Sequence, residues 1–269
     1  MSKKPEPSPV RVRLATHAGS WYSHDEHELE GELSGWLDAA EDQDTQQKQP
    51  NIRAIIGPHA GFRYSGPTAA FAYHHLLDLD RIKLNEKLVD SGKFATMSMD
   101  VDEDEHSIEM HLPFIYKVMG GRKFTAVPIL VGNTKSAMDA EYGRILAPYL
   151  ENDENLFVIS SDFCHWGPRF RYQPHDSTYG EIHEYINYLD HQGMGFIERL
   201  DADGFTRYLD ETNNTICGRH PISLLLHSIL ASNKLKCTLK FVKYAQSSAC
   251  MRHGDSSVSY ASAIIYSNP

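Results

Sequence analysis

Residues 52–61 read Ile-Arg-Ala-Ile-Ile-Gly-Pro-His-Ala-Gly. Ile52, Ala54, Ile55 and Ile56 form a short apolar run, closed by Gly57-Pro58, which is the pattern of a strand buried on both faces. A strand apolar on both faces belongs in a sheet covered on both sides. The strand runs straight into His59. In open α/β sheets ligands gather outside the carboxyl ends of the strands, so His59 stands where chemistry is expected.

The pattern recurs. Residues 156–161 form another apolar run that leads into Asp162-Phe163-Cys164-His165-Trp166-Gly167. Residues 124–131 read as a strand ended by Gly132. Residues 238–244 and 257–266 read as the last two strands, which can pair antiparallel.

Helices fill the intervals. Ser23-His24-Asp25-Glu26 reads as a capping box, with Leu29, Leu33, Trp36 and Leu37 on one face behind it. Pro67 suits the first position of a helix running to about Leu77. Further helices are expected near 84–91, 104–119, 181–200, 205–210 and 222–232, and one striped by Met138, Tyr142, Ile145, Leu146 and Tyr149. The alternation predicts a single α/β domain over 11–269, with a mostly parallel central sheet flanked by helices. Residues 1–10 are polar, carry three prolines and are expected to be a disordered tail.

Composition narrows the function. The 269 residues are 41% hydrophobic, enough for a core of this size, with a formal net charge of -10. An acidic chain gains nothing from counterion release, which argues against nucleic acid as partner. No apolar run reaches the roughly 20 residues that span a bilayer, so membrane insertion is not expected. The polar start does not resemble a signal peptide, and the four cysteines form no C-x-x-C pair. A reduced, cytoplasmic protein is expected, with nuclear residence also open.

Three further stretches carry chemical groups. Asp162 and His165 stand three apart just after a strand, where a carboxylate orients an imidazole or binds a metal itself. The plain alternative is a helix cap and a satisfied buried histidine. Cys217 lies in Asn214-Thr215-Ile216-Cys217-Gly218-Arg219-His220-Pro221, ahead of a helix, where a thiol ligates metals well and Arg219 suits an anion. The plain alternative is a small buried thiol. Residues 102–111 are the densest polar stretch. Glu105, His106 and Glu109 would support a cleft if buried beside one, and would otherwise form a solvated, well-capped helix.

Taken together, His17-Ala18-Gly19-Ser20-Trp21-Tyr22, Pro58-His59-Ala60-Gly61, and the stretches 102–113, 160–166, 214–221 and 244–248 resemble the MEMO family, the mediators of ErbB2-driven cell motility. The resemblance runs from about residue 12 to about residue 266. It implies a fold like that of the class III extradiol dioxygenases, which bind non-haem iron. His59 matches a family metal-site histidine. Cys217 matches the cysteine that replaces the dioxygenase carboxylate ligand. Asp162 is expected as a further metal-site group, and His165 stands at the place of the dioxygenase acid/base. The implied cofactor is iron or copper. The implied partners are phosphotyrosine-containing receptor or adaptor segments. The implied roles lie in cell motility, the cytoskeleton and redox regulation.

One departure is large. Family members carry a strand leading into Gly-Pro-Ser-His-His after the helix that ends here near Asp80. In this chain Leu79-Asp80-Arg81-Ile82-Lys83 leads directly into the next helix. The second metal histidine is missing, and His74 and His75 do not match it. Thiolate in place of carboxylate favours Cu(I) over oxygen-activating iron. The expectation is therefore a signalling protein that uses a vestigial metal cleft for binding, with a metal-dependent redox or dioxygenase-like enzyme as the alternative. Loss of a central strand also predicts exposed ladder edges and a hole in the core.

Overall fold

The computed structural model describes residues 12–46, 49, 51–77, 88 and 92–268. The expected tail over 1–10 lies outside the described residues, as does all of the expected helix over 84–91 except Leu88.

Asp25 begins α1 (Glu26–Gln43), its carboxylate accepting from the Glu28 N–H at 2.8 Å. The capping residue is thus Asp25 rather than Ser23, whose hydroxyl turns instead to the Glu28 carboxylate. After β1 (Ile52–Gly57), α2 (Phe62–Tyr73) starts five residues before Pro67. The reason is local: the Trp21 carbonyl takes the Phe62 N–H at 2.8 Å and satisfies the first turn early. Pro67 then lies inside the helix. The helix expected over 104–119 is broken into α3 (Met99–Asp104), α4 (His106–Glu109) and α5 (Leu112–Met119). Glu105 is extended there, and its carboxylate caps α4 through the Ser107 N–H at 2.6 Å.

The remaining elements follow expectation more closely. They are α6 (Ser136–Glu151), β2 (Phe157–Ser160), β3 (His165–Trp166), α7 (Ile182–Glu198), α8 (Ala202–Thr212), α9 (Arg219–Ala231), β4 (Cys237–Gln246) and β5 (Ser257–Ser267). The sheet runs β2-β1-β5-β3, and β4 pairs with β5. The last two strands are antiparallel, as expected.

The mostly parallel sheet is corrected by the structure. Among the described strands only β1 and β2 pair parallel, while β5 pairs antiparallel with β1, β3 and β4. The strand expected over 124–131 joins no ladder among the described residues. Its pattern was read correctly as apolar: Val127, Ile129 and Val131 pack toward Leu88, Leu146 and Leu224. Among the described residues no neighbouring strand takes its backbone groups, and without one an apolar run has no ladder to join. Residues 124–131 and β2 instead line a cavity of about 660 Å³, walled by Ile115, Val118, Val127, Ile129, Phe157 and Leu224 among others.

Both faces of β1 and β5 are covered. Ala54, Ile56, Ala263 and Ile265 pack with α7, α8 and α9. Ile55 and Ile264 pack with α1, α2 and α5. α1 and α2 pack tightly at Gly66, where an added Cβ would stand 2.4 Å from the Trp36 ring. Gly66→Ala should therefore destabilise the fold by about 1–3 kcal/mol through overpacking, against the ~1 kcal/mol that alanine gains in a free helix. Urea unfolding of the two proteins checks this, and a more stable Gly66→Ala protein would contradict the packing described.

Candidate functional site

Parallel pairing sets the carboxyl ends of β1 and β2 side by side, with Gly57 opposite Ser160. The next residues of each strand, Pro58-His59 and Ser161-Asp162, therefore leave the sheet at the same edge. The start of α9 is pressed onto this edge. The Gly218 N–H donates to the Ser161 hydroxyl at 3.1 Å, and a Cβ at Gly218 would stand 2.3 Å from that of Ser161. Glycine is needed there for the close approach that delivers Cys217.

The hydrogen bonds form one connected set. The Ser160 hydroxyl donates its only proton to the Ser107 carbonyl at 2.7 Å. It must then accept from both imidazoles that touch it, His59 Nδ1 at 2.6 Å and His111 Nε2 at 2.9 Å. His59 Nε2 is left as an acceptor, and it faces the Cys217 thiol at 3.3 Å. His111 Nδ1 accepts from the Tyr73 hydroxyl at 2.7 Å. Both rings are neutral in this scheme. Burial pushes His59 down to about 4, helped by the charge of His165. Burial likewise pushes His111 down to about 3, helped by His59.

Asp162 serves the backbone more than the cleft. Its Oδ1 accepts the His59 N–H at 2.8 Å, and its own N–H reaches the Cys217 sulfur at 3.1 Å. Burial raises its carboxyl to about 6. The Cys217 thiol has surface facing the cavity but is enclosed by protein, and burial with Asp162 beside it pushes it up to about 12. His165 stands apart. Its Nδ1 donates to the Phe163 carbonyl at 2.9 Å, and its N–H donates to the Thr215 hydroxyl at 2.7 Å. That bond leaves Nε2 as the nitrogen available for acid/base work.

The expected metal donors thus separate into a pair and a support. His59 Nε2 and Cys217 Sγ converge, while Asp162 is engaged with the backbone. These three do not bring three donor atoms within 4.8 Å of one another among the described residues. An iron triad with open positions needs three protein ligands. The residues present do not fit that group. A nitrogen and a sulfur 3.3 Å apart do fit a soft ion of low coordination, for which His59 and Cys217 are the holders.

A second polar group supports the mouth. Glu109 accepts from Arg13 at 2.5 Å, from His17 Nδ1 and N–H at 3.0 Å each, and from the Tyr22 hydroxyl at 2.8 Å. Burial alone would raise its carboxyl. The bonds from His17 and Arg13 outweigh that and hold it at about 2. Arg13 is thereby spent on Glu109 and Asp102. His106 covers the opening, its ring 5.4 Å from that of His59 and 4.7 Å from that of Trp21.

Sequence reasoning named His59, Asp162, Cys217 and His165 and the support of Glu105, His106 and Glu109. It did not name Ser160, His111, Tyr73 or Arg13. Ser160 and His111 lie within the quoted stretches, so their motifs signalled them. Tyr73 sits inside an ordinary helix, and nothing in its neighbours marks it.

The charge states predict a pH response. Below about pH 6.5 the unfolded chain protonates imidazoles that folded His59 and His111 leave neutral. Stability therefore falls as pH drops from 6.5 toward 4. Asp162 acts oppositely, because the folded state holds its proton from about pH 6 down to the ordinary carboxylate value. His111→Gln should lose stability at pH 7 yet show a shallower decline below pH 6.5, by up to about 1.4 kcal/mol per pH unit. Urea unfolding at stepped pH measures it, and an unchanged slope would contradict a neutral His111.

Comparison with known proteins identifies the family. The family model described as Memo-like protein matches residues 13–84 and 77–264. Protein MEMO1 of Homo sapiens is 43% identical over 291 positions, covering 94% of this chain and 96% of its own. Protein MEMO1 of Xenopus tropicalis is 44% identical, covering 93% and 95%. Protein memo-1 homolog of Caenorhabditis elegans is 39% identical, covering 96% and 83%. The human alignment is longer than the 269 residues of this chain, so that relative carries residues this chain lacks. The two family matches meet at 77–84, where the departure was expected. The chain belongs to the Memo-like protein family.

Proposed function

We propose that this chain is a binding protein of intracellular signalling, in which the former metal cleft holds a partner segment and performs no turnover. One observation carries the reading. His59 and His111 are neutral, joined through the Ser160 hydroxyl, and they open with Cys217 onto a cavity of about 660 Å³ whose walls are mostly apolar. That volume lies within the range of specific ligand pockets, roughly 300–1,000 Å³. The proposed kinship with the class III extradiol dioxygenases concerns the frame of the fold and brings no ring cleavage with it.

The proposed partner is a phosphotyrosine-containing receptor or adaptor segment. Arg219 is exposed beside Cys217 and spends one nitrogen on the Ile216 carbonyl, which leaves donors for a phosphate. Among the residues lining the cavity, Glu105 keeps negative charge: burial would raise its carboxyl, but the Ser107 bonds lower it. The phosphate is therefore assigned to exposed Arg219, next in sequence to the cavity residues Cys217 and Gly218, and apolar residues of the segment to the cavity. Roles in cell motility, the cytoskeleton and redox regulation, and residence in cytoplasm and nucleus, belong to this proposal. No helix among the described residues is long and apolar enough to cross a membrane.

A second reading rests on the His59–Cys217 pair. Bound copper would supply one-electron redox chemistry, and the thiol and imidazole would hold it. Here His165 would be the acid/base group.

Calorimetry with phosphorylated and unphosphorylated forms of one peptide separates the readings. Binding should require the phosphate and weaken about tenfold or more in Arg219→Ala. No heat from any phosphotyrosine peptide would contradict the binding proposal. Anaerobic Cu(I) titration tests the other: melting temperature should rise in the parent and not in the His59→Ala, Cys217→Ala protein.

A further inference from the structure

Three side chains meet in the core outside the cleft. Asp44 ends α1, and His74 and His75 begin the single 3-10 turn (His74–Leu76) that follows α2. Each Nε2 lies 2.8 Å from the same oxygen, Asp44 Oδ2. The donor atoms of the three residues all lie within 4.8 Å of one another. The side chains of Asp44, His74 and His75 are 3%, 2% and 0% exposed.

The arrangement is unusual in two ways. Consecutive residues of a helical turn ordinarily face apart. Here both rings turn to one point, with centroids 4.1 Å apart. The cluster is also more than a helix end requires. Asp44 already returns its backbone N–H to the Ala40 carbonyl. Two imidazoles are buried to reach one carboxylate oxygen. His74 Nδ1 is buried with no hydrogen-bond partner among the described residues. Burying such a group has a cost that the cap alone does not offset.

We propose that Asp44, His74 and His75 form a binding site for a divalent transition metal, zinc foremost, held by the two Nε2 atoms and the Asp44 carboxylate. Two imidazoles and a carboxylate are a zinc donor set, with nitrogens and oxygens at roughly 2.0–2.2 Å. The ion takes the place of the two N–H groups that now point at Oδ2. Each ring moves its proton to Nδ1, so the neutral pair coordinates without losing one. Acid competes, because protonated imidazole cannot ligate. The ion clamps the end of α1 to the end of α2, the two helices that already meet at Trp36 and Gly66. The site shares no residue with the cleft, so it stands or falls independently of the binding proposal.

The test uses the full chain carrying His59→Ala and Cys217→Ala, which removes the soft donor pair. Equilibrium dialysis with zinc should give one bound ion per chain, and melting temperature should rise with zinc concentration. Cobalt(II) should give visible absorption without a thiolate charge-transfer band. His74→Gln, which keeps a hydrogen bond to Asp44, should weaken zinc at least about tenfold, and Asp44→Asn should do the same. The parent protein serves if the double variant melts poorly, because the thiolate band distinguishes the two sites. A cooperatively folded protein that binds no zinc, or equal binding by His74→Gln and Asp44→Asn, would overturn the proposal and leave a hydrogen-bonded cap.

Discussion

The parallel pairing of β1 with β2 sets Gly57 beside Ser160, and the geometry of the cleft follows from that register. A slip of one residue would turn Ile55 and Ile56 to the wrong faces and remove Ser160 from His59. Both faces of β1 are packed, so the slip would expose core on either side. The register then fixes where Ser161 lies, and Ser161 receives Gly218. Through that contact the start of α9 places the Cys217 sulfur against His59. The chain from Tyr73 through His111, Ser160 and His59 to Cys217 is a consequence of sheet pairing together with one close backbone approach.

Neutrality is the chemical outcome. A buried imidazole keeps its charge only where a nearby carboxylate compensates it. Asp162 is close enough, but its carboxylate is taken by the His59 backbone N–H and is itself raised by burial. The charged groups lie nearer the mouth, where Arg13, His17 and Tyr22 converge on Glu109. The cleft therefore has a charged group around Glu109, neutral imidazoles at His59 and His111, and a mostly apolar chamber beyond them. That layering suits an amphipathic segment. It does not suit the activation of oxygen on a three-ligand iron.

Much of this was legible in the sequence. The run from Ile52 to Gly57 is apolar without alternation, which identifies a buried strand, and the strand-end rule then picks out His59, Asp162 and His165 without a fold. The antiparallel partnership of β4 and β5 was also legible, because few residues separate them. Elements failed where partners decide. Residues 124–131 carry a strand pattern, but a strand exists only against a neighbour, and none pairs with them among the described residues. Pro67 looked like a helix start because the Trp21 carbonyl that begins the helix at Phe62 lies some forty residues away in sequence. Asp162 was named from its place after a strand and from the family resemblance, and sequence does not reveal which way a carboxylate turns. His74 and His75 were placed on a helix without a role because their common partner, Asp44, belongs to another element.

The neutral, bonded state of His59 and His111 supports the proposed function. Imidazole nitrogen-15 NMR on the full chain, titrated from pH 7 to pH 5, observes it directly. The account predicts that His59 stays neutral with its proton on Nδ1, and His111 neutral with its proton on Nε2, throughout that range. A His59 that titrates near the ordinary histidine value, or that carries its proton on Nε2 facing Cys217, would contradict it.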